Sequence, residues 1–541
     1  MKRFLIIFFL SCSIRSHACA QSTRATVAQN TSKSDAFQKG LGALQADHFD
    51  DALRELSIAE REHPNDARVR NFRGIALAQL GKNAEAVDEY GAAIRLDPGL
   101  ENAYRNLGFL KWTLGDAAAA RESLERAVKL SPGDGFAHYY LGRLELSQHN
   151  YPRAFHELEL SKMAMPTDAD FLKEASIGYI AIGREADARK SLAELQKSPL
   201  DEGQSLLTAS LLLQVHENDA AIRIFERWRD QQLWRATLEQ YDLARAYLAV
   251  ATYEKVVHEA DVYTNAAPLE ESKPPQDLSA KVWSVRGIAY AHLDQREPCI
   301  DALRHAASLD PKQEEYWLNL TRELMEFSRY PEAIAAVQDG LAANPKSYAL
   351  QLRLGAAYLA GGQLPDAERV FRDLVNAGDP LPTGYVGLAQ VLLRTGRPDE
   401  AATELASAEK TLGPQFLLSY FRGLALDRAG KSAEALGAFQ DAVKLNPKSA
   451  EAHLDSGKTE LTLGRVQEAI AELQEVLRLD PENAPAKRIL SQAYRRASDQ
   501  QNAVKFAEAS TESPAAPAEG DLVSDLFVPG WVLPGQQETL K

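Results

Sequence analysis

Residues 101–134, ENAYRNLGFLKWTLGDAAAARESLERAVKLSPGD, decide the fold of this chain. Gly108 sits inside a first apolar run, Gly115 closes it, Ala120 sits inside a second run and Pro132 ends that one. The same residue types return with a period of 34: Gly40, Gly74, Gly108 and Gly142 form one column, Ala52, Ala86, Ala120 and Ala154 a second, and Pro64, Pro98, Pro132 and Pro166 a third. Three independent columns at one spacing mark internal repetition. Downstream, Gly287, Thr321, Gly355, Ala389, Gly423, Gly457 and Ser491 resume the first column, and Cys299, Ala333, Ala367, Ala401, Ala435, Ala469 and Ala503 the second. In between, the register drifts through Ser176, Ala209 and Ala244, paired with Ala188, Ala221 and Val256. The columns count about fourteen units, of which the fifth to seventh diverge.

Each column has a physical reason. Counting a unit from Lys33, position 8 holds Gly, Ala, Ser or Thr throughout, and position 20 holds Ala in twelve units. Small side chains at both places let two helices approach closely and interlock. Position 15 is Gly in seven units (Gly81, Gly115, Gly183, Gly362, Gly396, Gly430 and Gly464), where a left-handed residue can end the first helix and start a turn. Pro at position 32 stops the second helix, as in Leu96-Asp97-Pro98 and Leu479-Asp480-Pro481. Proline lacks the amide proton and clashes with the preceding turn. Each unit reads as one antiparallel helical hairpin, and the expected fold class is all-α.

Tyr104, Asn106, Leu107, Gly108, Ala120, Leu124, Ala127 and Pro132, and again Tyr420, Gly423, Ala435, Phe439, Ala442 and Pro447, resemble the tetratricopeptide repeat pattern at its small, aromatic and proline positions. The resemblance covers roughly residues 33 to 510. It implies a right-handed superhelical solenoid of about fourteen hairpins, with Gly40, Gly74, Gly108, Gly142, Gly287, Gly355, Gly423 and Gly457 as structural repeat positions. It further implies that first helices line a concave face into which positions 2, 5, 9 and 12 or 13 project.

Carried over by position, that face holds Arg105, Phe109, Trp112, Phe136, Tyr139 and Arg143 in the third and fourth units. An aromatic cluster with two guanidinium groups suits a peptide with apolar anchors and an acidic group. The competing reading is that the rings merely pack between neighbouring units. In the later units the same positions are Arg322, Gln390, Arg394, Tyr420, Arg428, Lys458, Arg488, Gln492, Arg495 and Arg496. Such cations would steer an acidic partner, unless they are solvated helix faces with ordinary ion pairs. Two specialisations of the family do not transfer. A carboxylate clamp would need Lys, Asn, Asn, Lys and Arg where this chain has Ser284, Ile288, Asn319, Ala349 and Arg353, and an asparagine ladder is met only at Asn106 and Asn319.

The 541 residues are 45% hydrophobic and 25% charged, which excludes a largely disordered chain. A net charge of −15 argues against nucleic acid as a partner. Lys2 and Arg3 precede the apolar run Phe4 to Leu10, and Ala18-Cys19-Ala20 supplies a small-residue cleavage site before Gln21, so residues 1–20 read as a secretory signal peptide. Phe9-Leu10-Ser11-Cys12 partly matches a lipobox, which keeps a lipid anchor at Cys12 open. Cleavage after Ala20 removes three cations and no acid, taking the charge to −18, and leaves Cys299 as the single thiol. No intramolecular disulfide can then form, and no segment of the mature chain is apolar enough to span a bilayer.

The expected organisation is a linker over 21–32, a first block of about seven units over 33–268, an insert over 269–279, a second block of about seven over 280–510 and a tail over 511–541. The insert accounts for a stretch from Ala244 to Gly287 of 43 residues, nine beyond the period. The tail carries a Pro/Ala-rich linker and then the apolar strip Leu522 to Pro534, suited to docking on a partner, in this chain's own groove, or over the last hairpin.

Catalytic patterns fail on spacing. His156-Glu157 would begin a zinc-protease motif, but Leu160 stands where the second histidine must be. Gly430-Lys431-Ser432 resembles the end of a phosphate loop, but its leading glycine would fall on Ala425. Cys299 lies in the alanine packing column, so no nucleophile, metal site or cofactor is expected. The sequence reads as an exported, non-enzymatic scaffold of a bacterial periplasm or cell surface that binds protein or peptide segments. A non-catalytic regulatory or substrate-presenting subunit of an envelope enzyme or outer-membrane assembly complex is the alternative.

Overall fold

A computed structural model of the chain describes residues 35–231, 238–266, 275–378 and 381–512. The expected signal peptide, the Cys12 lipid site, the linker over 21–32, most of the insert and the apolar tail strip lie outside the described residues. Among the described residues there are 28 helices and no strand. They divide into two compact units after Ile224.

The first unit contains α1 (Asp35–Gln45), α2 (Phe49–Glu62), α3 (Ala67–Gln79), α4 (Asn83–Leu96), α5 (Glu101–Thr113) and α6 (Ala117–Leu130). It continues with α7 (Gly135–Ser147), α8 (Tyr151–Ser161), α9 (Ala169–Ala181), α10 (Glu185–Leu195) and α11 (Glu202–Gln214), and the divide falls within α12 (Asn218–Gln231). The second unit runs through α13 (Leu238–Ala249), α14 (Tyr253–Ala266), α15 (Gln276–His292), α16 (Arg296–Leu309), α17 (Glu314–Glu326), α18 (Tyr330–Ala343), α19 (Tyr348–Ala360) and α20 (Leu364–Asn376). It ends with α21 (Pro382–Arg394), α22 (Pro398–Leu412), α23 (Phe416–Arg428), α24 (Ser432–Leu445), α25 (Ala450–Thr462), α26 (Val466–Leu479), α27 (Ala484–Arg496) and α28 (Gln500–Glu512). Odd-numbered helices are the first of each pair and even-numbered ones the second.

The pairing follows from the small-residue column. A methyl group added at Gly108 would come within 2.7 Å of Leu124 Cγ, and one at Gly423 within 2.5 Å of the Phe439 ring. The same relation joins Gly40 to Leu56, Gly74 to Tyr90, Gly142 to Leu158, Gly287 to Leu303, Gly355 to Phe371 and Gly457 to Leu473. A large side chain sixteen residues on thus fills the hole that each glycine leaves, which sets the depth of every such hairpin. Both helix ends are specified locally. The residue before a first helix is often Asp, Ser or Asn, and Asp66, Asp134, Asp168, Asp201, Ser347, Ser449 and Asn483 each accept an amide of the first turn.

Successive pairs are tied along the row of first helices by bonds that span 35 residues. Asn106 Nδ2 donates to Asn71 Oδ1 at 3.0 Å, Arg394 Nη1 to the Leu359 carbonyl at 2.8 Å, Tyr420 Oη to Asp455 at 3.0 Å and Arg496 Nη1 to the Leu461 carbonyl at 2.6 Å. In the second unit a buried apolar cluster extends from Ala280 to Ala452. Two expected limits shift. The α15 helix begins at Gln276, inside the insert expected over 269–279, and α28 reaches Glu512, inside the expected tail. On either side of the insert, α14 and α13 both pack on α15, the neighbour relation found elsewhere in the unit. Cys299 is fully buried on α16, where burial pushes its thiol up.

Candidate peptide-binding faces

In the first unit the face is built outward from the cap of α7. Asp134 accepts the Phe136 and Ala137 amides at 3.0 and 3.2 Å through one oxygen, and Arg105 Nη1 at 2.6 Å through the other. Arg105 lies on α5, is only 7% exposed, and has its Cζ 5.8 Å from the centre of the Phe136 ring. A buried, charge-assisted bond of this kind joins α5 to the start of α7. Its guanidinium therefore holds the scaffold together.

Beyond it lies a contiguous aromatic layer. Phe109 packs on Tyr140 at a centroid distance of 4.6 Å, and Trp112 stands 6.3 Å from Phe109 and 6.5 Å from Tyr140. Arg143 Nη1 donates to Tyr139 Oη at 3.1 Å. Three rings surround its Cζ, at 4.9 Å for Phe171, 5.9 Å for Tyr139 and 6.0 Å for Trp112. Each such cation–ring contact contributes on the order of 0.5–2 kcal/mol. All six residues expected from the sequence thus meet on α5 and α7, and α9 adds Phe171. Tyr139 is buried, whereas Phe109, Trp112, Phe136 and Arg143 are half-buried and keep an accessible edge. Tyr140 and Phe171 were not expected at the face: Tyr140 falls between the projecting positions, and Phe171 lies in a unit whose register drifts.

The later candidates separate into two groups. The first is committed to the fold. Arg322 donates to Glu323 at 3.0 and 2.8 Å, and Arg394 and Arg496 bond the last-turn carbonyls of the preceding first helices. Those carbonyls carry the negative end of a helix dipole, so a guanidinium is favoured there. Tyr420 is 6% exposed; burial, with the Asp455 charge it bonds, raises its hydroxyl pKa. The second group is exposed: Arg428 on α23, Lys458 on α25, and Arg488, Gln492 and Arg495 on α27. None of these four cations forms an ion pair among the described residues. Of the acids on the same helices, Asp455 is engaged by Tyr420, Glu451 by Ser449 and Glu460 is buried, leaving Asp427.

Gln390 stands apart from both groups. It is 5% exposed on α21, and neither its amide nitrogen nor its amide oxygen has a hydrogen-bond partner. A buried primary amide left wholly unpaired is costly, on the order of 1–3 kcal/mol per group. Arg394, one turn away, faces the Leu359 carbonyl instead.

A buried device on three first helices escaped the sequence reading. His138 has Glu157 at 2.6 Å on Nδ1 and the Pro132 carbonyl at 3.0 Å on Nε2. His453 repeats it with Glu472 at 2.5 Å and the Pro447 carbonyl at 3.2 Å, and at the same register Trp317 Nε1 donates to the Pro311 carbonyl at 2.9 Å. The signal was present as a column of ring nitrogens at position 4, six residues after a proline. Among the described residues no group of His, Cys, Asp and Glu could hold a metal, and no helix is long and apolar enough to cross a membrane.

Family models described as tetratricopeptide repeat match residues 37–101, 106–161, 420–484 and 454–517, residues 324–380, and residues 382–407. No curated protein matches the chain. Among solved structures, the chain is similar to yeast Tom70 at 15% identity and a TM-score of 0.38, over 88% of this chain and 98% of that one. To the APC/C hetero-tetramer Cut9-Hcn1 the identity is 14% and the TM-score 0.34, over 91% and 96%. To TTC0263, a thermophilic TPR protein of Thermus thermophilus, they are 22% and 0.30, over 34% and 99%.

Proposed function

The chain is built of tetratricopeptide repeats, and from that premise we propose that it is an exported, non-catalytic scaffold that binds protein or peptide segments on the faces of its first helices. The observation that carries this reading is the set of exposed cations without acid partners among the described residues, Arg428, Lys458, Arg488 and Arg495, on successive first helices of a chain whose net charge is −15. Such a local reversal of sign selects acidic partners and speeds their encounter. The half-buried rings of Phe109, Trp112 and Phe136 support a second contact area with apolar anchors. Export is supported by the basic, apolar and small-residue succession over residues 1–20.

Charge reversal tests the reading. Arg428→Glu with Lys458→Glu and Arg488→Glu changes only exposed side chains, so folding should be intact by circular dichroism. Affinity capture from the native envelope should lose acidic partners that the parent retains, most clearly at low salt. Capture by the triple variant equal to that of the parent, at low and at high salt, rejects the assignment.

A further inference from the structure

Two features of the second unit ask for an occupant. The first is Gln390, whose buried donor and acceptor are both unused. A primary amide so placed matches one kind of ligand group best, a main-chain N–H and C=O presented together. The second is the row of exposed cations from α23 to α27, which calls for carboxylates. The two belong to one row of first helices: α21 packs on α23, α23 is bonded to α25 through Tyr420 and Asp455, and α25 packs on α27.

The chain itself contains a segment of that chemistry. Residues 513–541 hold four acids against one lysine, and Asp521-Leu522-Val523-Ser524-Asp525-Leu526-Phe527-Val528-Pro529-Gly530-Trp531 places two of the acids among apolar side chains. Pro529 has no amide proton and disfavours helix, a residue type compatible with an extended ligand. The reach is adequate. Eight residues lie between Glu512 and Asp521, nine chain steps that span about 30 Å when extended. Three steps between neighbouring first helices cover about the same distance at about 10 Å each.

We propose that residues 521–531 of this chain occupy the first-helix face of its own second unit, with Asp521 and Asp525 against Arg428, Lys458 and Arg488 and the main chain before Pro529 on the Gln390 amide. The proposal rests on the binding-face reading above and deepens it: the scaffold carries a built-in competitor that an acidic partner must displace. A tethered segment acts at an effective concentration of about 1 mM, so a partner of ordinary affinity would find the face largely covered.

The test uses the full chain and a labelled synthetic peptide with the sequence of residues 519–534, followed by fluorescence anisotropy. A tail variant, Asp521→Lys with Asp525→Lys, reverses the two charges set against Arg428, Lys458 and Arg488 and so removes the internal competitor without touching a repeat. It should bind the peptide at least about tenfold more tightly than the parent chain does. Adding Gln390→Ala, or separately Arg428→Glu with Lys458→Glu, should weaken that binding by about tenfold or more. The second pair alters exposed side chains only, so its loss cannot come from unfolding. Equal affinity for parent and tail variant, or no binding to the tail variant, overturns the proposal. If the peptide fails while envelope capture still depends on Arg428, Lys458 and Arg488, the binding face stands and only its occupant is wrong.

Discussion

Position 15 of the repeat shows what one residue contributes. Its seven glycines have φ between 73° and 86°, and the remaining units place Asp47, His149, His216, Ala251, Asp294, Ser328 and Ser498 at φ of 53° to 61°. The turn between helices therefore requires a left-handed residue in every unit, whether or not glycine supplies it. Ala251 has neither a polar side chain to compensate nor a relaxed backbone, so Ala251→Gly should stabilise the protein by about 0.5–1 kcal/mol after glycine's entropic cost. A higher urea midpoint at unchanged slope would show it. Half of this column was legible in the sequence because glycine announces a left-handed residue; Asp, His and Ser do so weakly and alanine not at all. The same limit applies to the cations. Arg394 and Arg428 share one repeat position, yet the first bonds a carbonyl of the neighbouring first helix and the second faces solvent, a difference that repeat position alone does not reveal.

At the scale of a helix pair, packing sets what each side chain can do. Glu460 on α25 is 3% exposed, and burial together with the Glu472 charge pushes its carboxyl up to about 7, against a hydrogen bond from Gln440 that favours the ionised form. A carboxyl raised in the folded state costs stability as pH climbs from its unfolded value towards its folded one and beyond. Glu460→Gln should accordingly leave stability near pH 4 little changed and raise it progressively between about pH 5 and 8, by up to about 3 kcal/mol. Thermal melts across that range check the sign. The helices themselves were legible from small-residue, glycine and proline columns, down to the drifting units between Ser176 and Val256. Hidden were contacts made by residues outside those columns. His138 with Glu157 and Arg105 with Asp134 depend on which turns of adjacent helices come level.

For the molecule as a whole, the account rests on one repeated geometric device. A residue without a side chain on the first helix receives a large one from the second, the pair closes to a fixed depth, and stacking the pairs leaves rows of first-helix side chains facing outward. The rows, with their rings and unpaired cations, stand on that nesting, which position 8 sets. Two glycines of one hairpin separate this cause from a general preference for helix formers. At Gly423 an added methyl would meet the Phe439 ring at 2.5 Å, whereas at Gly437 on α24 it would meet nothing within 4 Å. Equilibrium unfolding of Gly423→Ala and Gly437→Ala is the most direct measurement. The account predicts opposite signs, a loss of about 1–3 kcal/mol for the first and a gain of about 0.5–1 kcal/mol for the second; a gain in both would contradict it.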